Sequence, residues 1–207
     1  FTAIVAHELV SPVAAIRWFA EVLAMEGLTA DERDHALATI RAETDLLHVL
    51  VDDVRAIAKV DRDDFSATLR PVDLAEIVGA ASAFTRSLPG SHPFSVENRV
   101  AGHVMADPAR IGQVLRNLLA NAAKYTPAGT PIALRVRTVR GRVRIEVADD
   151  GPGVDPEDAA VIFEKYRRGR QPGDRHVAGA GIGLYVSRRI VQAHGGVLTL
   201  KSRPGAG

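Results

Sequence analysis

Between Ile4 and Val60 apolar side chains recur every three or four residues, first as Leu9, Val13, Ile16, Ala20 and Leu23 and then as Leu37, Ile40, Leu47, Val51, Val54 and Ile57. Good helix formers fill the intervals, so the spacing predicts two long amphipathic helices. Between them Gly27 can end the first helix, and Thr29 with Glu32 three residues on makes a capping box for the second. The result is an antiparallel helical hairpin. A hairpin offers each wide apolar stripe only one partner helix, so the pattern calls for a second copy and a dimeric four-helix bundle.

The texture changes after Asp61-Arg62-Asp63-Asp64 and the Pro71 break. Helical and strand-like segments then alternate, which predicts a hairpin domain over 1–66, a linker at 67–71 and an α/β domain over 72–207. Within the second domain the pattern predicts a helix over 73–88, strands near 94–99 and 103–106, and a helix over 107–124. Ile132 to Arg137 and Arg142 to Val147 alternate on either side of Arg140-Gly141, which predicts a β-hairpin with one wet face. A helix near 184–194 and a last strand from Val197 to Lys201 complete the expected elements.

Composition narrows the chemistry. With 26 basic and 25 acidic side chains the formal net charge is +1, no global field for nucleic acid or an anionic membrane. The chain has no cysteine, which removes disulfides, thiolate metal sites and cysteine nucleophiles and makes cytoplasm the default setting. No apolar run is long enough to span a bilayer, and Phe1-Thr2-Ala3-Ile4 is no signal peptide. The start without methionine and the stop at Arg203-Pro204-Gly205-Ala206-Gly207 read as the ends of a fragment, so a membrane segment upstream stays open.

Four segments carry candidate chemistry. On the helix from Asp107 an apolar face of Ile111, Val114, Leu115, Leu118 and Ala122 is opposed by Gln113, Asn117, Asn121 and Lys124. Asparagine costs about half a kcal/mol against alanine inside a helix, so two of them one turn apart ask for a compensating contact. A carboxamide oxygen is a hard ligand suited to Mg²⁺ beside phosphate oxygens, although a solvated polar face would look the same. Asp149-Asp150-Gly151-Pro152-Gly153 ends a strand-like run; its glycines let a flat ligand approach and an ionised carboxylate could accept from an exocyclic amine, but a simple turn also fits. The arginine-rich loop from Arg167 to Ala178 leads into Gly179-Ala180-Gly181-Ile182-Gly183 and then a helix, a place where free N–H groups can hold phosphate, or else a plain surface loop. No GxxxxGK[ST] occurs and no βαβ unit follows the glycines, which argues against P-loop and dinucleotide folds. Finally, Pro12 in Ala6-His7-Glu8-Leu9-Val10-Ser11-Pro12 removes the hydrogen bond to the Glu8 carbonyl, which predicts a bent or loosened helix beside His7. A neutral imidazole is a competent nucleophile. Spacing puts Ser11 on the face of His7 and Glu8 about 100° away. His35, His48, His92, His103, His176 and His194 read as structural or exposed.

Taken in order, these segments resemble the sensor histidine kinase family over nearly the whole chain. His7 to Pro12 resembles its H box, Asn117 to Tyr125 its N box, Asp149 to Gly153 its G1 box, Ile162 to Gly169 its F box and Gly179 to Leu184 its G2 box. The resemblance implies a dimeric phosphoacceptor hairpin joined to a Bergerat-type ATP-binding α/β sandwich with a mixed sheet, as in gyrase and chaperone ATPases. It implies a protein-histidine kinase using ATP and Mg²⁺. His7 would be the phosphoacceptor, Glu8 its base, Asn121 the principal Mg²⁺ ligand and Asp149 the adenine-reading carboxylate. Asn117, Lys124 and Tyr125 would line the nucleotide site, Arg168 would reach the γ-phosphate region, and Gly151, Gly153, Gly179, Gly181, Gly183 and Leu184 would shape pocket and lid. The implied partners are a second copy and the receiver domain of a response regulator, whose aspartate takes the phosphoryl group. Val10 stands where the H box commonly has arginine or lysine, and Ser11 where it commonly has threonine. In the family that hydroxyl helps direct water in the phosphatase reaction, so Ser11 bears on it. Competing readings are a non-catalytic nucleotide-binding scaffold, whose mark would be a lost His7, Asn121 or Asp149, and a stand-alone ATPase, which would not need the hairpin.

Overall fold

Thr29 and Glu32 close the capping box read from the sequence: the Thr29 N–H and hydroxyl donate to Glu32 Oε2 at 2.9 and 2.7 Å, and the Glu32 N–H donates back to Thr29 Oγ1 at 3.3 Å. The hydrogen bonds from the Thr29 backbone and side chain hold the Glu32 carboxyl below its ordinary range. The box starts α2 (Ala30–Val60), which lies against α1 (Thr2–Leu23); Gly27, at φ +87°, supplies the left-handed step between them. α1 runs through Pro12 without interruption, and the proline ring is buried. The computed structural model describes residues 2–25, 27–60, 66–86, 88, 90–167 and 181–207, with the side chains of 9–23, 30–41, 43–44, 47 and 51 in α1 and α2.

The rest of the chain is α/β. β1 (Arg70–Asp73) leads into α3 (Leu74–Thr85), then β2 (Phe94–Asn98), β3 (His103–Ala106), α4 (Pro108–Tyr125), β4 (Ile132–Val139), β5 (Arg142–Asp149), α5 (Pro156–Val161) and α6 (Gly183–Ala193). β1 pairs antiparallel with β3, while β2, β4 and β5 form a mixed sheet, β2 parallel and β5 antiparallel to β4. The two residues of the β4–β5 turn, Arg140 and Gly141, both have positive φ, the geometry that matches the twist of a tight hairpin.

One sheet face is dry. Ile132, Leu134 and Val136 point into a cluster with Ile77, Val78 and Ala81 of α3 and Leu115, Leu119, Ala122 and Ala123 of α4. Leu119 and Leu134 have no exposure, and truncating either to alanine should cost about 3 kcal/mol. The other face is wet. Arg135 bridges Glu97 and Glu146 there, at 3.5 and 3.0 Å, and the exposure of these groups limits what the ion pairs contribute.

Three departures from the sequence pattern have physical reasons. β1 was not visible because four residues containing a proline show no alternation, and its strand character comes from pairing with β3. α5 has six residues and starts at a proline after the N-cap Asp155, too short for a periodic signal. The expected strand Val197–Lys201 is not formed: a strand needs ladder hydrogen bonds, and none reaches these residues among the described ones.

Asp107 ties several parts together. Its carboxylate accepts from the Arg110 N–H at 3.1 Å, capping α4, and from the Thr68 N–H at 3.3 Å, while its own N–H donates to His194 Nε2 at 3.0 Å. Burial pushes this carboxyl upward, but the hydrogen bonds from the Arg110 and Thr68 backbone and the Arg110 charge outweigh it and leave the group below its ordinary value. A depressed folded-state value stabilises the fold above the ordinary carboxylate value near about 4 and loses that contribution as acid protonates the group. Asp107→Ala should therefore lower the unfolding free energy by about 1–2 kcal/mol at neutral pH. In denaturant titrations the gap between wild type and Asp107→Asn should shrink as the pH falls from 7 to 3; a gap independent of pH would contradict the assignment.

Candidate functional site

α4 sorts its side chains into three stripes by helical rotation of about 100° per residue. Leu115, Leu119, Ala122 and Ala123 face the sheet cluster. Val114 and Leu118 join Ile182, Val186 and Ile190 in a second cluster under α6. The single apolar face read from the sequence is thus two faces, each with its own cover. Gln113, Asn117, Asn121 and Lys124 occupy the remaining stripe, next to the one that meets α6. α6 runs antiparallel to α4: Ser187, one turn into α6, meets Asn117, and His194 at its end meets Asp107.

The Asn117 amide nitrogen donates to Ser187 Oγ at 3.0 Å. Asn121 is half-buried one turn further on, Lys124 is exposed with its ammonium 5.3 Å from the Tyr125 ring, and Tyr125 is 42% exposed. These belong together on one side of α4. A metal ion at Asn121 would find a neutral hard oxygen, the donor type Mg²⁺ accepts alongside phosphate oxygens and water.

Asp149 closes one end of the site. Its Oδ1 accepts from the Thr126 hydroxyl at 2.9 Å and from the Gly151 N–H at 3.0 Å, which joins the end of β5 to the C-cap of α4. Both bonds use one oxygen, so among the described residues Oδ2 is left for an outside donor. The close approach requires glycine at 151, where a Cβ would stand 2.6 Å from Asp149 Oδ1 and 3.0 Å from Thr126 Oγ1. A hollow of about 440 Å³ opens nearby, lined by Leu88, Gly90, His92, Ala120, Ala123, Lys124, Thr126 and Ala128. Its lining shares Lys124 and Thr126 with the site and lies toward the α3–β2 connection.

At the other end the stems of the glycine-rich loop are clamped. Tyr166, at φ +62°, donates its N–H to the Gly181 carbonyl at 3.1 Å, and Gly181 is itself at φ +67°. Lys165 lies 4.9 Å from the Tyr185 ring and Arg188 5.9 Å from the Phe163 ring, which fastens the segment before the loop to α6. Gly153 also holds a positive φ, and Gly183 and Leu184 form the first turn of α6. Arg168 and Gly179 lie outside the described residues, as do the side chains of His7 and Glu8 on α1. Ser11 is exposed on α1. Leu9, two residues after His7, packs into the α4–α6 cluster with Tyr166 and Tyr185.

Sequence reasoning passed over Thr126, Ser187 and Tyr166. Serine on the apolar side of a helix was the signal available for Ser187, because a buried hydroxyl needs a partner. Nothing in the pattern marked Thr126 or the left-handed Tyr166. Among the histidines, His92 places Nδ1 2.9 Å from the Thr130 carbonyl and Nε2 3.1 Å from that of Ala123, and His194 bridges Ile190 and Asp107, in keeping with the structural roles read for them.

Comparison with known proteins finds matches for both parts of the chain. Residues 106–207 match the family described as histidine kinase-, DNA gyrase B- and HSP90-like ATPase, and residues 1–63 match the His Kinase A (phospho-acceptor) domain. The chain is 32% identical over 206 residues to the probable sensor histidine kinase TcrY of Mycobacterium tuberculosis, covering 99% of this chain and 43% of that protein. Among solved structures, full-length ShkA in complex with AMPPNP is 28% identical with a TM-score of 0.68, over 99% of this chain and 43% of that one. Histidine kinase ThkA in complex with the response regulator protein TrrA is 25% identical with a TM-score of 0.71, over 94% of this chain and 55% of that one. The chain therefore spans less than half the length of the curated relative.

Gly151→Ala should lower stability by about 1–3 kcal/mol, because the new methyl must displace either the Asp149 carboxylate or the Thr126 hydroxyl. Thermal unfolding measures this directly, and an unchanged melting temperature would mean that the Asp149–Thr126–Gly151 contact is not as close as described.

Proposed function

The chain belongs to the sensor histidine kinases of two-component systems, and from that premise we propose that it phosphorylates its own His7 with ATP and passes the phosphoryl group to an aspartate of a response regulator. The lone pair of an imidazole nitrogen attacks the γ-phosphorus, the bond to the β-phosphate oxygen breaks, ADP leaves, and Glu8 accepts the proton released by the ring. Phosphoryl transfer needs positioning and charge neutralisation more than covalent assistance. Asn117, Lys124 and Tyr125 line the nucleotide, Asp149 Oδ2 accepts from the adenine amine, and Arg168 meets the γ-phosphate. Gly151, Gly153, Gly179, Gly181, Gly183 and Leu184 shape the pocket and the lid. Mg²⁺, held by Asn121, would neutralise charge on the phosphates.

The observation that carries this reading is the seat of Leu9. α1, which bears His7, rests in the cluster built by α4, α6 and Tyr166, so the phosphoacceptor helix touches the nucleotide-binding module. A stand-alone ATPase has no use for that contact. Two residues of helix separate His7 from Leu9, about 3 Å along the axis and about 200° around it, so this contact seats the helix against the module, and presenting position 7 to the nucleotide requires the module to shift around α1. The limits read from the sequence are 1–66 for the hairpin, 67–71 for the linker and 72–207 for the catalytic domain; because β1 starts at Arg70 and pairs with β3, we begin the catalytic domain at residue 70.

The hairpin works as a homodimer. Val10, Val13 and Trp18 are 65%, 53% and 58% exposed on α1 of a lone chain, and Leu37 and Val51 are uncovered on α2. A second hairpin would cover such a stripe and complete a four-helix bundle. Among the described residues no helix is long and apolar enough to cross a membrane. We place the reaction in the cytoplasm, with any membrane anchor in a sensor region outside this chain. Ser11, one helical turn beyond His7, carries the hydroxyl for the reverse, phosphatase direction.

With γ-labelled ATP and Mg²⁺ the protein should acquire an acid-labile, base-stable label that His7→Gln abolishes; label retained in that variant would refute the role of His7, and steady ATP turnover with no labelled protein would favour the ATPase. Leu9→Asp should slow labelling about tenfold or more and weaken nucleotide binding far less, since it disturbs docking directly and the pocket only through Tyr166. Sedimentation at micromolar concentration should give the dimer mass, and a monomer there would count against the bundle.

A further inference from the structure

The two parts of the chain carry opposite charge. Residues 1–66 hold 13 acidic and 6 basic side chains, whereas residues 67–207 hold 12 and 20. The overall +1 therefore hides an acidic hairpin beside a basic module, and the two attract where their surfaces meet. One such meeting is α6 against α2.

Arg189 stands there. On α6, Ile182, Val186 and Ile190 close on α4, and Tyr185 borders the same cluster as Leu9 of the hairpin. Arg189 comes one turn after Tyr185 on the same flank, while its neighbour Arg188 turns about 100° away, toward the Phe163 ring. Arg189 Nε is sealed from solvent, and no acceptor meets it among the described residues. A buried N–H left in this way carries a penalty that an acceptor would remove. On the hairpin side the Phe19 and His35 rings, 5.9 Å apart, fix how the two helices stand beside each other. Leu9, ten residues before Phe19, is therefore level with position 45, ten after His35. Glu43 lies about 3 Å along the axis from that level. It is half-buried, and its carboxylate has no partner among the described residues. The other acidic side chains described on α2, Asp31, Glu32 and Asp34, sit at the far, capped end of the helix.

We propose that Glu43 is the acceptor for Arg189, and that the two pair when the module shifts around α1 from the Leu9 seat to present its nucleotide to His7. A guanidinium is a planar fork matched to a carboxylate, and closing the pair gives the buried Nε its acceptor. The Leu9 seat leaves both groups open, so the apolar contact favours one arrangement and the ion pair favours the other. Arg189 is thus a positioning residue: it acts on where the module stands and leaves the nucleotide pocket alone. The effect on labelling rests on the kinase reading above, whereas the contact itself does not.

The test has two arms, with a thermal melt to establish that each variant is folded. Arg189→Gln and Glu43→Gln should each slow labelling at saturating ATP about tenfold, the worth of a hydrogen bond between charged groups, with KM for ATP nearly unchanged. The double variant should be no slower than either single one, and Glu43→Arg should restore most of the rate that Arg189→Glu removes. In the second arm the chain's lack of cysteine gives a clean background for paired thiols. A short bifunctional thiol reagent should link Glu43→Cys to Arg189→Cys within one chain, and should not link Asp34→Cys to Arg189→Cys. Additive losses, no rescue by the exchanged charges, or equal linking of both cysteine pairs would overturn the pairing, as would a link that joins two chains. Wild-type protein that takes no label while the Glu43→Cys and Arg189→Cys pair still links would overturn the kinase reading and keep the contact.

Discussion

The turn of α4 is the constraint on which the rest depends. A helix advances about 100° per residue, so eighteen residues can address three neighbours at once, and α4 does so. One stripe is sealed against the sheet and a second against α6. The third is left polar because it must remain accessible. Sealing two stripes orients the helix about its own axis, and only a helix so oriented holds Asn117 and Asn121 in fixed directions. Asp107 at the start and Thr126 at the end fasten both termini, the first to His194 and Thr68, the second to Asp149.

Much of this was legible in the chain because the responsible interactions are local or periodic. The capping box at Thr29 and Glu32 involves residues three apart, and the Arg140-Gly141 turn is decided by two backbone conformations. The two faces of α4 repeat often enough to be counted. What escaped was long-range or brief. β1 exists because β3 lies beside it, and Ser187 has meaning only through a partner seventy residues earlier. The Val197–Lys201 segment shows the converse: strand propensity is present, but propensity without a paired neighbour forms no ladder. At the site the glycines and asparagines could be found from spacing, whereas the hydroxyls that hold them could not, since Thr126 and Ser187 are ordinary residues until folding brings Asp149 and Asn117 to them.

The polar atoms at the site share one economy. Asp149 accepts twice through a single oxygen, and the Asn117 amide is tied through its nitrogen. In each case one end of a two-ended group is hydrogen-bonded to the scaffold, and the proposed function gives the free oxygen of Asp149 to a ligand. Such a division fixes direction before a ligand arrives, so less conformational freedom is lost when it binds. It also explains why glycines crowd these places: Gly151 and Gly183 sit where the scaffold must approach the polar group more closely than any Cβ would allow.

The link between the two modules follows from strain as much as from burial. Tyr166 adopts a left-handed backbone that costs a non-glycine residue about 1–2 kcal/mol, and such a conformation persists only where its surroundings over-determine it. Those surroundings are the hydrogen bond to Gly181 and the apolar cluster of α4 and α6, which Leu9 of the histidine helix also enters. The two stems of the loop and the docked helix thus share one set of contacts. Withdrawing Leu9 removes part of what holds Tyr166 in place, and releasing the Tyr166–Gly181 clamp loosens the surface on which Leu9 rests. A change at either module is felt at the other through a single packed cluster, with no need for a longer path.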